Sequence, residues 1–281
     1  MLADFLQSLP LPALPTHLTS WKPGLTPMST VPVVAGTVMV YLSTVFAIRD
    51  HQKTREPQKL NTLFQIHNFL LSAGSGLLLV LMLEEILPIM WKHGVFYAIC
   101  GEGAWTERLE FYYLINYYFK YWELVDTVFL ALKKKPLTFL HVFHHAATAV
   151  LCYTQLDGKT SVSWVVITLN LAITITLRPA GGKKIWWKKY ITTMQITQFV
   201  IDIVVVYFAT YSHFAYMHNL PTVGDCAGDV PAALYGCALL TFYLVLFIDF
   251  YRRTYNAKPK GAAKNGVANG KPIANGNGAS H

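Results

Sequence analysis

Charge is what this sequence has least of. Only 14% of its 281 residues are Asp, Glu, Lys or Arg, against roughly 25% in an average soluble domain. Apolar residues make up 53%, and mean hydropathy is +0.35. Such a composition argues against a soluble enzyme and predicts a membrane-embedded core with short polar tails. Cysteine is scarce too, and four residues are too few for a disulfide framework. Residues 1–21 hold no Lys or Arg and several prolines, so the charged region that opens a cleaved signal peptide is lacking. The sequence closes on Gly-Ala-Ser-His, which matches none of the common retention signals. Neither an internal repeat nor a second soluble domain is evident.

Long apolar runs are present instead. Crossing a hydrocarbon core of ~30 Å takes about 20 mostly apolar helical residues. Seven windows qualify: Val31–Ile48, Leu63–Leu83, Phe111–Leu132, Leu137–Leu156, Ser161–Leu177, Tyr190–Phe214 and Pro231–Phe250. Because lipid forces each backbone group to be satisfied within its own helix, the expected fold is all-α, a polytopic membrane protein with seven transmembrane helices. Three regions follow: a luminal N-terminal segment (1–30), the membrane domain (31–253) and a flexible cytosolic tail (254–281) rich in Gly, Ala, Asn and Lys.

Basic residues test this plan independently. With seven spans, one side carries Arg49–Lys59, Lys133–Lys135, Arg178–Lys189 and everything beyond Phe250, which together hold 18 of the 23 Lys and Arg residues. The positive-inside rule then predicts a cytosolic C-terminus and a luminal N-terminus. Topology thus accounts for the net charge of +8 and calls for no nucleic-acid partner; anionic lipid or a phosphorylated substrate would be an addition. The same plan sorts the cysteines, with Cys152 and Cys237 inside spans and Cys100 and Cys226 in luminal loops. A Cys100–Cys226 disulfide is allowed by compartment, and two free thiols are the alternative.

Ionisable groups inside the spans carry the chemistry, because each costs at least ~2.5–3.5 kcal/mol to insert and so faces a partner, a cavity or a pathway. In the third span Lys120, Glu123 and Asp126 recur at i, i+3 and i+6, followed by Thr127. At the helical period these three charges fall within an arc of about 120°. They either compensate one another and pack helices, or they orient groups on a neighbour. The fourth span offers such groups: His141 stacks beneath His144 and His145, one turn on. Three imidazoles in one sector exceed what packing requires; they can bind metal, relay protons or act as nucleophiles.

Metal is the first rival. The HxxHH spacing resembles one box of the integral-membrane desaturases and hydroxylases, whose di-iron centres need about eight histidines over several boxes. The other seven histidines here, His17, His51, His67, His93, His213, His218 and His281, stand alone, so no metal site is expected.

Several motifs in order resemble the very-long-chain fatty acid elongase family, and fungal members in particular. Lys120 to Thr127 matches KxxExxDT, His141 to His145 matches HxxHH, and Thr192 to Gln198 matches TxxQxxQ. His67-Asn68 in the second span also fits, and the match runs from about residue 30 to 253. The resemblance implies a multi-pass endoplasmic reticulum enzyme, a 3-oxoacyl-CoA synthase. It would condense long-chain acyl-CoA with malonyl-CoA, releasing CO2 and CoA, with no metal or organic cofactor. It implies six helices around an acyl-chain tunnel within the seven-helix bundle, and partners among the other elongation-cycle enzymes or a second copy.

By this reading His144 is the nucleophile, with His145 and His141 as base or orienting partners and Asp126 or Glu123 fixing an imidazole tautomer. Cys152 is the alternative nucleophile, but it lies seven residues past His145, about 10.5 Å along the helix. Substrate-binding candidates are Lys120, Thr127, Asn68, Asn170, Gln195 and Gln198. Gln195, Gln198 and Asp202 share one face of the sixth span, with helix–helix hydrogen bonding as the alternative role. Lys183, Lys184, Trp187 and Lys188 either meet CoA or anchor the interface.

One departure stands out. Four residues after Asn170 the family places a histidine, then Met-Tyr and further tyrosines; here Thr174 stands there, and Pro179 ends a span of 17 residues. Either a paralogue has lost a catalytic group and become an impaired membrane subunit, or residues 173–182 carry a splicing or gene-model error. The clean resumption of the match at Lys183 favours the second. A transporter that uses the buried charges is a further functional class.

Overall fold

The computed structural model describes residues 2–10, 12, 14–177 and 188–256. Among them the regular structure is helical, without a strand: α1 (Leu2–Ser8), α2 (Thr16–Thr19), α3 (Val31–Gln52), α4 (Asn61–His93), α5 (Val95–Cys100), α6 (Glu107–Leu132), α7 (Phe139–Asp157), α8 (Ser163–Leu177), α9 (Lys188–Met217) and α10 (Val230–Tyr255). Four helices among the described residues, α3, α4, α9 and α10, are long and apolar enough to cross a membrane. In α6 the charges Glu110, Lys120, Glu123 and Asp126 interrupt the apolar run, α7 has its histidines, and α8 has only 15 residues.

Local chemistry fixes several ends. Thr106 and Thr138 cap α6 and α7, accepting from the backbone N–H of Leu109 at 3.2 Å and His141 at 3.3 Å, which satisfies a donor that the first turn leaves orphaned. Helix α4 stops where Gly94 takes φ +86°, a conformation open to glycine. It runs well past the expected end at Leu83, through Glu84 and Glu85. Both carboxylates find partners there: Glu84 accepts from the backbone N–H groups of Leu2 and Ala3 at 2.6 and 3.0 Å, and Glu85 accepts from the Thr106 hydroxyl at 3.0 Å.

Packing closes a ring. Helix α4 lies on α8, α8 on α9, α9 on α10, α10 on α7, α7 on α6, and α6 back on α4, while α3 packs outside against α6. One end of the bundle is covered by the N-terminal segment. There the Trp21 backbone N–H donates to Glu110 Oε1 at 2.7 Å and its indole donates to Asp157 Oδ1 at 3.1 Å. At that end Cys100 and Cys226 are joined by a disulfide, 126 residues apart in sequence. At the opposite end the α6–α7 turn is tied to the segment after α3, because Lys134 Nζ donates to the carbonyls of Lys53 and Arg55, each at 3.1 Å.

A close approach between the end of α7 and the start of α10 gives a test. A methyl group at Gly158 would lie 2.5 Å from Ala232 Cβ and 3.1 Å from Asp229 Cβ, whereas one at Gly36 meets nothing within 4 Å. Gly158→Ala should therefore cost about 1–3 kcal/mol by overpacking, seen as a lower thermal midpoint in detergent. Gly36→Ala should leave the midpoint unchanged or raise it slightly; equal effects of the two would contradict this packing.

Candidate functional site

The ring of helices encloses a cavity of ≈550 Å³ toward the end that carries the Lys133–Lys135 turn. Each ring helix contributes: α4 through Asn68, α6 through Glu123 and Asp126, α7 through His141, His144 and His145, α8 through Asn170 and Thr174, α9 through Gln195 and Gln198, and α10 through Phe247. Lys188 lies at its wall as well. All five expected catalytic residues and four of the expected substrate-binding side chains of the spans thus face one space. Lys183, Lys184 and Trp187 lie outside the described residues.

Helix α7 presents its imidazoles over one turn. The His145 ring lies 4.5 Å from that of His141 and 5.5 Å from that of His144, centroid to centroid. His144 rests against Tyr243 and Phe247 of α10, at 4.9 and 6.0 Å. Its backbone carbonyl accepts from the Thr148 hydroxyl at 2.6 Å and from Tyr243 at 3.1 Å. The aromatic wall therefore fixes both the ring and the strand of backbone that carries it. Sequence reasoning missed this wall, although Tyr243 and Phe247 at i and i+4 place two aromatics on one face of α10.

Behind the imidazoles runs a buried polar chain. Lys120 Nζ donates to Asn170 Oδ1 at 2.6 Å and to both oxygens of Glu123 at 3.3 and 3.5 Å. Glu123 Oε2 in turn stands 3.9 Å from His145 Nδ1. Helices α8, α6 and α7 are thereby linked through one ammonium group, which lies behind the cavity wall and is only 3% exposed. Within the charge ladder Lys120 and Glu123 compensate each other, and Glu123 also faces an imidazole on α7.

Asp126 takes a partner that the sequence reading did not assign. Its Oδ1 lies 2.8 Å from His67 Nε2 of α4, whose ring sits edge-on to Trp122 and Phe129. The His67-Asn68 pair was the available signal, since one of two neighbouring residues lines the cavity and the other meets the carboxylate. Thr127 belongs elsewhere: one residue further it is rotated about 100°, and its hydroxyl accepts from Tyr41 of α3 at 2.8 Å. It docks the outer helix rather than lining the cavity.

On α9 the Gln198 amide donates to Asp202 Oδ2 at 3.2 Å, a bond within one helix. Thr174 lines the cavity, and its hydroxyl donates to the Asn170 carbonyl at 2.9 Å, so it is turned toward its own backbone. Cys152 lies farther along α7, where the Asn116 amide donates to its sulfur at 3.6 Å. The isolated histidines do not gather: His213 meets Asp225 at 2.9 Å and His93 lies against Tyr97. No group of three or more His, Cys, Asp or Glu placed to hold a metal occurs among the described residues. The arrangement can carry out nucleophilic attack and proton transfer by imidazole, with carboxylates to orient the rings and amides to bind carbonyl or carboxylate groups.

Comparison with known proteins gives the family of the chain. The model of the ELO (GNS1/SUR4) family matches residues 26–263. The chain is 47% identical over 250 residues to "Putative fatty acid elongase 1" of Schizosaccharomyces pombe, covering 86% of this chain and 74% of that one. It is 30% identical over 250 residues to "Fatty acid elongase A" of Dictyostelium discoideum, covering 85% and 88%. With "Very long chain fatty acid elongase 2" of Rattus norvegicus the identity is 28% over 261 residues, covering 84% and 86%. The chain belongs to the ELO family.

The polar chain makes a prediction about stability. Lys120→Met leaves Glu123 buried without its cation and should cost about 3–5 kcal/mol, whereas the Lys120→Met/Glu123→Gln pair should recover a large part of that loss. Thermal unfolding of the two variants in detergent checks this. A single variant as stable as the double would show that Glu123 does not depend on Lys120.

Proposed function

We propose that this member of the ELO family is a 3-oxoacyl-CoA synthase of the endoplasmic reticulum membrane. It condenses a long-chain acyl-CoA with malonyl-CoA in the first step of very-long-chain fatty acid elongation. One observation carries the reading: the three imidazoles of HxxHH, both carboxylates of KxxExxDT and the two glutamines of TxxQxxQ converge on a single cavity. In this reading seven helices span the bilayer, with the N-terminus luminal and the C-terminus cytosolic. Six of them, α4 and α6–α10, surround the acyl tunnel, and α3 stands outside it. The basic end of the bundle faces the cytosol, where it receives the CoA groups.

Chemically the residues divide the work as follows. A ring nitrogen of His144 attacks the acyl thioester, its C–S bond breaks, and CoA leaves as the thiol after taking up a proton. His145 or His141 supplies or holds that proton, and Glu123, charged against Lys120, keeps the His145 ring oriented. Loss of CO2 from malonyl-CoA leaves an enolate, which attacks the acyl carbonyl and frees His144. Gln195, Gln198 and Asn170 donate to the oxygens on which negative charge develops. The sum is acyl-CoA, malonyl-CoA and one proton going to 3-oxoacyl-CoA, CO2 and CoA. The groups needed are all side chains, so no metal or organic cofactor takes part.

Thr174 supports a second reading. It stands on the cavity wall where the resemblance places a histidine, and a hydroxyl does not replace an imidazole base near neutral pH. A chain that needs two imidazoles for acyl transfer would then be an impaired elongase-like subunit. CoA release separates the two readings. The purified chain, given malonyl-CoA and a C14 to C24 acyl-CoA panel, should release CoA with 3-oxoacyl product, and His144→Ala should lose at least about 100-fold of that rate. No release by the chain, together with a large gain in Thr174→His, would establish the impaired reading. Equal release by the chain and His144→Ala would remove His144 from the mechanism.

A further inference from the structure

A second hollow lies farther along the ring, toward the end covered by the N-terminal segment. Asn116 of α6, Leu151, Cys152 and Gln155 of α7, Ser163 of α8 and Gly236 of α10 are among its walls. It stands above the reaction cavity on the same helices: Leu151 and Gln155 follow His144 by seven and eleven residues, about 10.5 and 16.5 Å along α7. Most of its wall is apolar. Among its polar side chains, Gln155 and Ser163 are hydrogen-bonded, whereas Asn116 is 2% exposed, its Nδ2 donates to Cys152, and its Oδ1 has no hydrogen-bond partner. An amide oxygen shut away from water and from donors costs about 1–3 kcal/mol, so a ligand with a donor at this height relieves a cost that a methyl-ended tail does not.

A third, adjoining hollow shares Gln155, Val162 and Val206 and extends to His213, Thr210 and Gly228. The path beyond Asn116 therefore becomes more polar toward the covered end of the bundle. The second hollow measures ≈30 Å³, more than the roughly 10–15 Å³ that a single water needs, so water is the competing occupant.

We propose that this hollow receives the end of an acyl chain carrying a hydroxyl group at or near its terminus, with the hydroxyl donating to Asn116 Oδ1. The substrate class is thus ω-hydroxylated long-chain acyl thioesters, in addition to unsubstituted ones. This inference rests on the proposed acyl tunnel, whose far end the hollow would be. An extended chain advances roughly 1.2 Å per bond, so about ten bonds lead from the height of His144 to that of Asn116. Hydroxyl-ended tails from C12 upward reach it.

The test compares matched pairs of acyl-CoA, C12 to C18, with a terminal methyl or a terminal hydroxyl. The readout is the concentration that gives the half-maximal rise in melting temperature of the full chain in detergent. At one length in the series the hydroxyl-ended member should bind about three- to tenfold tighter than its partner, and Asn116→Leu should abolish or invert that preference. Gly236→Ala, whose added methyl meets only Gln155 Nε2 at 3.5 Å and Val206 Cγ1 at 3.8 Å, should shift the preferred hydroxyl-ended tail to a shorter length. Methyl-ended tails binding as tightly or more tightly at every length would overturn the proposal and leave the hollow to water. The wild-type comparison decides this even if Asn116→Leu does not fold. CoA release from palmitoyl-CoA, measured in parallel, tests the condensation separately. Discrimination without release retains the tail site and removes the condensation; release without discrimination does the reverse.

Discussion

A charge carried into hydrocarbon must find its counterpart inside the bundle, and the ammonium group of Lys120 meets that demand from two sides. Glu123 compensates it within α6, and Asn170 accepts from it across α8. Much of the site depends on this contact. It holds α8 against α6, it keeps a carboxylate next to His145, and it draws the α8 segment that bears Thr174 to the cavity wall. The companion contact between His67 and Asp126 binds α4 to α6 on the other side. Both contacts follow from one constraint: within lipid, polar groups on separate helices satisfy each other or line a space.

That constraint also explains what could be read from the sequence. The helices were legible in their apolar runs, four of which, among the described residues, are long and apolar enough to cross a bilayer, and the ladder from Lys120 to Asp126 was legible because helical spacing puts its members on one face. Partner choice was not. Asp126 shares the cavity with the imidazoles of α7 and also meets His67 of α4, a partner that could not be foreseen because pattern within one helix says nothing about which neighbour approaches it. Thr127 shows the same limit: one residue separates it from Asp126, and that single step turns it from the cavity to Tyr41 of the outer helix. The extra turns of α4 beyond Leu83 depend on partners for Glu84 and Glu85 drawn from α1 and from the residue that caps α6. Likewise, the aromatic support of His144 and the contact of the Asn116 amide with Cys152 arise only once α10 and α6 are packed against α7.

The reaction cavity and the hollow above it share the walls of five helices, α6 to α10. A single structural choice, six helices in a closed ring, therefore lines both spaces. Polar side chains are unevenly spread along the ring: imidazoles, carboxylates and amides at the basic end, an apolar middle, and amide and hydroxyl groups at the far end. Such a distribution suits a substrate that is reactive at one end and long, and it places the departure at Thr174 at the reactive end rather than along the tail.

Acyl transfer to an imidazole of α7 is the central claim, and the most direct test omits the second substrate. Incubating the full chain with a long-chain acyl-CoA alone, quenching it and weighing the intact protein and its peptides should reveal one added acyl group. That group should map to the peptide containing His144 and be absent from His144→Ala. An acyl group on Cys152, or none while CoA is still released once malonyl-CoA is added, would contradict the account.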